Sequence, residues 1–117
     1  MIDLDPGQLA EVRGILARCV SEYEVVVFGS RANGNARKFS DLDLALIGNH
    51  ALPLRRLAEL RDALSESRLP IKVDVLDWQA LTAEFRRLIL RAFETIQVAP
   101  CLNPDLRSTL ESARQRE

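Results

Sequence analysis

Cysteine, histidine and excess charge are scarce in this sequence. It has two cysteines and one histidine in 117 residues, and Cys19 and Cys101 lie far apart at no metal-ligand spacing. This argues against a disulfide scaffold and favours reduced thiols. His50 follows Gly48-Asn49, which indicates a loop rather than a catalytic position. The formal net charge of −1 provides no general positive field, so direct binding of nucleic acid is disfavoured.

Long apolar runs are also absent. No stretch approaches the roughly 18 apolar residues of a membrane span. Residues 1–6 lack the basic and apolar parts of a signal peptide, so a cytoplasmic protein without membrane contact is expected. The apolar fraction of 47% and the charged fraction of 28% are typical of a globular protein. The length suits a single domain over 1–117, with a core over about 6–99 and a C-terminal helix over about 104–115.

The hydrophobic pattern predicts helices alternating with short strands. Asp5-Pro6 is predicted to start a helix that runs to about Ser21. Strands are predicted over 24–28, 41–47 and 71–76, with a helix over about 52–66 between the last two. The fold class expected is α/β (α+β), a small mixed β-sheet with helices packed on it.

The last third of the chain is predicted to add a helix, a short strand and another helix. Asp77 is expected to cap the first of these helices, whose buried stripe would be Leu81, Phe85, Leu88, Ala92 and Phe93. Ile96 and Val98 indicate the strand. The last helix, after Asn103-Pro104, has a thin apolar stripe and is expected to dock on a partner or fray.

Three aspartates on predicted strands form a candidate metal site. Side chains two residues apart on a strand share a face, so Asp41 and Asp43 would lie together, with α-carbons roughly 6.7 Å apart. Asp74 stands between Val73 and Val75, where a carboxylate is unexpected unless its face opens on solvent or a ligand. Carboxylate oxygens are ligands that Mg²⁺ prefers, and three carboxylates on adjacent strands could hold two magnesium ions.

Gly29 and Ser30 form a candidate phosphate-binding turn at the end of the first strand. A glycine lets phosphate oxygens approach the backbone, and Ser30 offers an amide and a hydroxyl donor. Arg31 is a candidate nucleotide-binding residue, and Arg37 and Lys38 are candidate counter-charges for the phosphates. Ten residues separate Ser30 from Asp41.

The Gly-Ser pair, the spacer of ten and the Asp-Leu-Asp triplet resemble the nucleotidyltransferase superfamily that includes DNA polymerase β. The match covers 28–47 and the Lys-Val-Asp-Val stretch around Asp74. Within this superfamily, the sequence Gly-Ser-Arg-Ala most resembles that of the minimal nucleotidyltransferase antitoxins. The resemblance implies that Asp41, Asp43 and Asp74 are catalytic and bind magnesium, and that Gly29 and Ser30 hold the phosphates of ATP.

The resemblance also implies transfer of AMP from ATP to a hydroxyl, such as that of tyrosine, on a cognate all-helical HEPN-type ribonuclease toxin, in a possible hetero-oligomer. Few residues remain after the three predicted strands, too few for an additional helical domain that would hold the acceptor. We therefore expect the acceptor to supply its own binding surface. The last helix and the face carrying Arg86, Arg87 and Arg91 are candidates for meeting it. Two alternatives remain: an antitoxin that only binds, with a vestigial site, and a small-molecule nucleotidyltransferase resembling aminoglycoside-modifying enzymes.

Overall fold

The computed structural model describes residues 2–114. Within that range no helix is both long enough and apolar enough to cross a membrane. The elements in chain order are α1 (Pro6–Cys19), β1 (Glu24–Phe28), α2 (Ser30–Asn33), β2 (Leu42–Ile47), α3 (Leu54–Ser65), β3 (Val73–Asp77), a 3₁₀ turn (Trp78–Ala80), α4 (Ala83–Arg91), β4 (Phe93–Gln97) and α5 (Pro104–Arg114).

The four strands form one mixed sheet in the order β3-β2-β1-β4. β1 runs antiparallel to both β2 and β4, whereas β2 and β3 are parallel and are joined through α3. A parallel pair requires such a crossover, which explains the helix between these two strands. The mixed sheet with packed helices confirms the predicted fold class.

Helices cover both faces of the sheet, and the strands bury side chains on each. The alternation of a strand directs successive side chains to opposite faces. On β2, Leu42, Leu44 and Leu46 belong to one apolar cluster with residues of α1 and α3, whereas Ala45 and Ile47 belong to a second cluster with residues of α4 and α5. The central strands are therefore buried on both sides.

The first helix begins where the sequence predicts. The Asp5 carboxylate accepts a hydrogen bond from the Gln8 amide (2.8 Å), and the Gln8 side chain accepts one from the Asp5 amide (3.4 Å). This reciprocal arrangement is a capping box, which satisfies amide groups that the helix itself cannot. The helix ends at Cys19, two residues before the predicted end.

The prediction for the segment after β3 is wrong in part. Asp77 caps the 3₁₀ turn, and Thr82 starts α4 by accepting a hydrogen bond from the Phe85 amide (3.1 Å). This second start changes which side chains face the sheet, so Leu88 is 54% exposed and Ile89 is buried instead. Ala92 follows α4, and Phe93 begins β4. The predicted final strand exists, but it ends before Val98, which is exposed.

The last helix is part of the core rather than a loosely attached segment. Leu110 and Ala113 are buried in the cluster that α4 shares with the sheet. In addition, Arg107 contacts the carboxylate of Glu24 on β1 through both terminal nitrogens, at 3.0 and 3.2 Å. Glu24 is fully buried, and it also accepts a hydrogen bond from the Ala99 amide (2.6 Å). Of the two expectations for this helix, fraying is therefore wrong for the described residues, and docking on a partner stays a prediction.

Candidate active site

The sheet places two of the three predicted aspartates side by side. Asp43 on β2 is paired in register with Asp74 on β3, and on its other side with Phe28 on β1. Asp43 and Asp74 therefore face the same side of the sheet. Asp41 lies one residue before β2 and is exposed, so the strand starts one residue later than predicted.

The surroundings of Asp43 disfavour the charged form of its carboxylate. Burial raises its pKa above the ordinary aspartate value, and the negative charges of Asp74 and then of Asp41 raise it further. Each of these causes disfavours the ionised carboxylate. The two neighbouring aspartates are thus close enough for their charges to act on Asp43, and this shared repulsion is what a bound cation would relieve.

Gly29 brings the turn after β1 directly against this carboxylate. Its φ of +74° lies in the left-handed region, and a β-carbon at this position would lie 2.5 Å from Oδ2 of Asp43. Only glycine lacks that atom, so the close approach of the turn to Asp43 depends on it. Ser30, predicted to bind phosphate, begins the single turn of α2 immediately after Gly29.

We expect Gly29→Ala to lower strongly the rate of the nucleotidyl transfer that the motif resemblance implies, because the added methyl group must displace the Asp43 carboxylate. Gly34→Ala is the matched control: Gly34 also has a positive φ, +83°, but nothing lies within 4 Å of its β-carbon position. Gly34→Ala should cost about 1–2 kcal/mol of stability, because Gly34 lies in the left-handed helical region with a ψ of 6°. Gly29→Ala should cost more, up to about 3 kcal/mol, because a ψ of −155° places Gly29 in a region that is almost confined to glycine. Thermal unfolding and initial rates measured on both variants separate strain from displacement. Equal loss of activity in the two variants would contradict the role of the Gly29 contact.

A cavity of about 600 Å³ opens beside the paired aspartates. Asp43, Asp74, Phe28 and Phe85 are among its lining residues, and the two phenyl rings meet edge to face with centroids 6.0 Å apart. The Lys72 ammonium group lies 3.5 Å from Oδ1 of Asp74 and also lines the cavity. The carboxylates therefore border a space whose lining also includes an aromatic wall, formed by the two phenyl rings, and the cations of Lys72 and Arg61. Sequence reasoning missed the aromatic wall, because Phe28 and Phe85 have the same apolar character as core residues.

The guanidinium group of Arg31 is directed to the protein backbone. Arg31 is only 6% exposed, and it donates hydrogen bonds to the carbonyl oxygens of Asp3, Arg37, Lys38 and Ser40. Nothing in the sequence indicates that this arginine is buried. Its contact with a nucleotide stays a prediction, and these hydrogen bonds favour a structural role instead.

Several other candidate residues also make contacts within the fold. Trp78 is buried in the second core cluster, which α4 and α5 form with the sheet. Arg86 lies over the Trp78 ring, 5.1 Å from its centroid, and donates to the Trp78 carbonyl oxygen (3.0 Å). Arg87 and Arg91 are exposed on α4. Of the three arginines predicted to form a basic face on this helix, Arg87 and Arg91 therefore remain exposed for contact with a partner.

The aspartates fit a magnesium ion in their chemistry and charge. Carboxylates are hard oxygen donors, and the mutual repulsion at Asp43 is of the kind that a divalent cation stabilises. In the described range, however, no three histidine, cysteine, aspartate or glutamate side chains converge closely enough to hold an ion together. The metal-binding roles of Asp41, Asp43 and Asp74 stay predictions.

A glycine-serine turn packed against a strand aspartate, within a mixed four-stranded sheet, defines the nucleotidyltransferase class of fold. Residues 17–97 match the family model described as "Polymerase beta, Nucleotidyltransferase". The chain belongs to this family. It is also 43% identical, over 96 residues, to the Haemophilus influenzae protein named "Probable protein adenylyltransferase MntA", with 82% of this chain and 84% of that protein covered.

Solved structures share the fold at lower sequence identity. A toxin-antitoxin structure with AMP-PNP has a TM-score of 0.70 at 18% identity, covering 92% of this chain and 84% of that one. A tri-AMPylated Shewanella oneidensis HEPN toxin in complex with MNT antitoxin gives a TM-score of 0.68 at 15% identity, covering 96% of this chain and 85% of that one. The fold of this chain therefore matches that of the solved structures over nearly its whole length.

Proposed function

We propose that this protein is an antitoxin that transfers AMP from ATP to a hydroxyl group, such as that of tyrosine, on a HEPN-type toxin. The observation that carries the proposal is the contact of Gly29 with Asp43, because it joins the phosphate-binding turn to the candidate metal ligands. The 43% identity to a protein named as a protein adenylyltransferase supports the reaction. The fold is shared with a solved complex of an MNT antitoxin and an AMPylated HEPN toxin. This similarity supports the proposal that the acceptor is a HEPN-type toxin.

The reaction assigned to the site is in-line attack of the acceptor oxygen on the α-phosphorus of ATP. A bond forms between that oxygen and phosphorus, and the bond to the bridging oxygen breaks, so pyrophosphate leaves. Asp41, Asp43 and Asp74 would hold magnesium, which when bound would neutralise charge on the phosphates and lower the pKa of the attacking hydroxyl. Asp74, partly exposed at the cavity, orients the hydroxyl and accepts its proton, while Gly29 and Ser30 hold the phosphates.

The test combines the purified protein, ATP labelled at the α-phosphate, Mg²⁺ and the protein encoded by the neighbouring gene. We expect label on the partner, release of pyrophosphate and no label when Mg²⁺ is chelated. Neutralisation of the toxin without any label would show an antitoxin that only binds. Label on a small molecule such as an aminoglycoside, with no partner present, would show a small-molecule nucleotidyltransferase instead.

A further inference from the structure

Arg31 connects the two halves of the Gly-Ser and Asp-x-Asp motif. It directly follows Ser30 in the turn, and its side chain reaches the segment that leads into Asp41. Nε and Nη2 donate to the Ser40 carbonyl oxygen at 3.0 and 2.9 Å, and Nη2 also lies 3.3 and 3.2 Å from the carbonyl oxygens of Arg37 and Lys38. Three carbonyl groups of the spacer are thus gathered on one buried guanidinium group.

These hydrogen bonds constrain the backbone of Asp41. The carbonyl group of Ser40 and the α-carbon of Asp41 belong to the same planar peptide unit, so fixing one fixes the other. On the following side, the Leu42 amide donates to the Lys72 carbonyl oxygen at 2.9 Å. The peptide units before and after Asp41 are therefore both held, one by Arg31 and one by the segment before β3.

Arg31 is itself held in place by the N-terminal segment. Its Nη1 donates to the Asp3 carbonyl oxygen (2.7 Å), and its own carbonyl oxygen accepts from the Asp3 amide (2.8 Å). A buried cation is costly unless its donors are satisfied, and here all three nitrogens have acceptors. The planar fork of arginine suits several acceptors in fixed directions, which the ammonium group of lysine cannot reproduce.

We propose that Arg31 is a positioning residue that sets the orientation of Asp41 and thereby the affinity of the site for its divalent cation. This inference rests on the metal role of Asp41 in the proposed function. It differs from direct nucleotide binding, because the guanidinium group acts through the peptide bond between Ser40 and Asp41. Removing an outer contact that orients a metal ligand commonly lowers metal affinity about 10- to 100-fold.

The test measures Mn²⁺ binding by electron paramagnetic resonance, with α,β-methylene-ATP present, for the unmodified protein, Arg31→Met and Arg31→Lys. We expect about 10- to 100-fold weaker Mn²⁺ binding for Arg31→Met and an intermediate loss for Arg31→Lys. The matched control is Arg55→Met, which removes one positive charge from an exposed position on α3 and should bind Mn²⁺ normally. Arg31→Lys keeps the charge, so it provides a folded variant if Arg31→Met unfolds.

Steady-state rates give a second readout that a purely structural role would not change. The Mg²⁺ concentration for half-maximal rate should rise about tenfold or more, whereas kcat at saturating Mg²⁺ should recover. Mn²⁺ affinity within twofold of the unmodified protein in a folded Arg31 variant would overturn the inference. So would a loss of kcat that saturating Mg²⁺ does not restore. Absence of Mn²⁺ binding by the unmodified protein would instead overturn the proposed metal site, and this inference with it.

Discussion

Asp43→Asn is expected to abolish nucleotidyl transfer while leaving the protein at least as stable as before. The substitution keeps the shape of the side chain but removes a carboxylate whose pKa is raised by burial and by the charges of Asp74 and Asp41. With the metal role proposed for Asp43, its loss removes several kcal/mol of transition-state stabilisation, which corresponds to about 10³-fold in rate or more. Transfer rates with labelled ATP and thermal unfolding of the same preparation test both parts.

The gain in stability should depend on pH in a defined direction. Because the pKa of Asp43 is raised on folding, its ionised form opposes folding above that raised pKa, and the penalty disappears as pH falls to the ordinary aspartate value of 3.8. The advantage of Asp43→Asn should therefore be largest at neutral pH and vanish in acid. Asp62→Asn, at an exposed position on α3, controls for the change in net charge. A variant that retained full transfer would contradict the assignment of Asp43 to the active site.

Glu24→Ala is expected to cause a large loss of stability, because Glu24 is a fully buried carboxylate. It removes the acceptor of the buried Ala99 amide and leaves Arg107 without its carboxylate partner. Removing one member of a fully buried pair costs about 3–5 kcal/mol. Because the Arg107 side chain is 27% exposed, we expect a loss of about 3 kcal/mol, at the lower end of that range. For a domain of this length that corresponds to a fall in Tm of roughly 10–20 °C. Urea denaturation followed by circular dichroism measures the change in unfolding free energy.

The exposed pair of Glu22 and Arg56 provides the control. These side chains also form an ion pair, at 2.7 Å, but they are 55% and 34% exposed. Glu22→Ala should therefore cost only about 0–1 kcal/mol. Glu24→Gln retains an acceptor for the Ala99 amide and should fall between the two alanine variants. If Glu24→Ala cost no more than Glu22→Ala, the buried pair would not be what anchors α5 to the sheet.

Local pattern was enough to predict the elements that carry the motif. The apolar run of β1, the alternation along β2 and the cap at Asp5 each depend on neighbouring residues, and each is found in the structure. The motif spacing and its resemblance to a known superfamily also led to the correct family, which residues 17–97 match. What the sequence could predict was therefore mainly what is decided within a few residues.

Features that depend on distant partners could not be predicted. Glu24 is buried because it meets Arg107, 83 residues away, and a glutamate at the start of a strand is ordinarily exposed. Arg31 looks like a phosphate ligand because of its neighbours, yet its acceptors are backbone carbonyls that only the folded spacer presents. The restart of α4 at Thr82 likewise depends on which of two possible caps the chain uses.

The alternation along β2 makes its pairing with neighbouring strands a requirement for both folding and chemistry. Leu44 packs with α1 and α3, while the adjacent Asp43 faces the cavity. A slip of one residue would exchange their positions, burying a carboxylate in the apolar cluster and exposing a leucine where Asp74 needs a partner. Any misregistered strand would therefore be unstable as well as inactive. Correct folding and the placement of the candidate site aspartates therefore depend on the same pairing of strands.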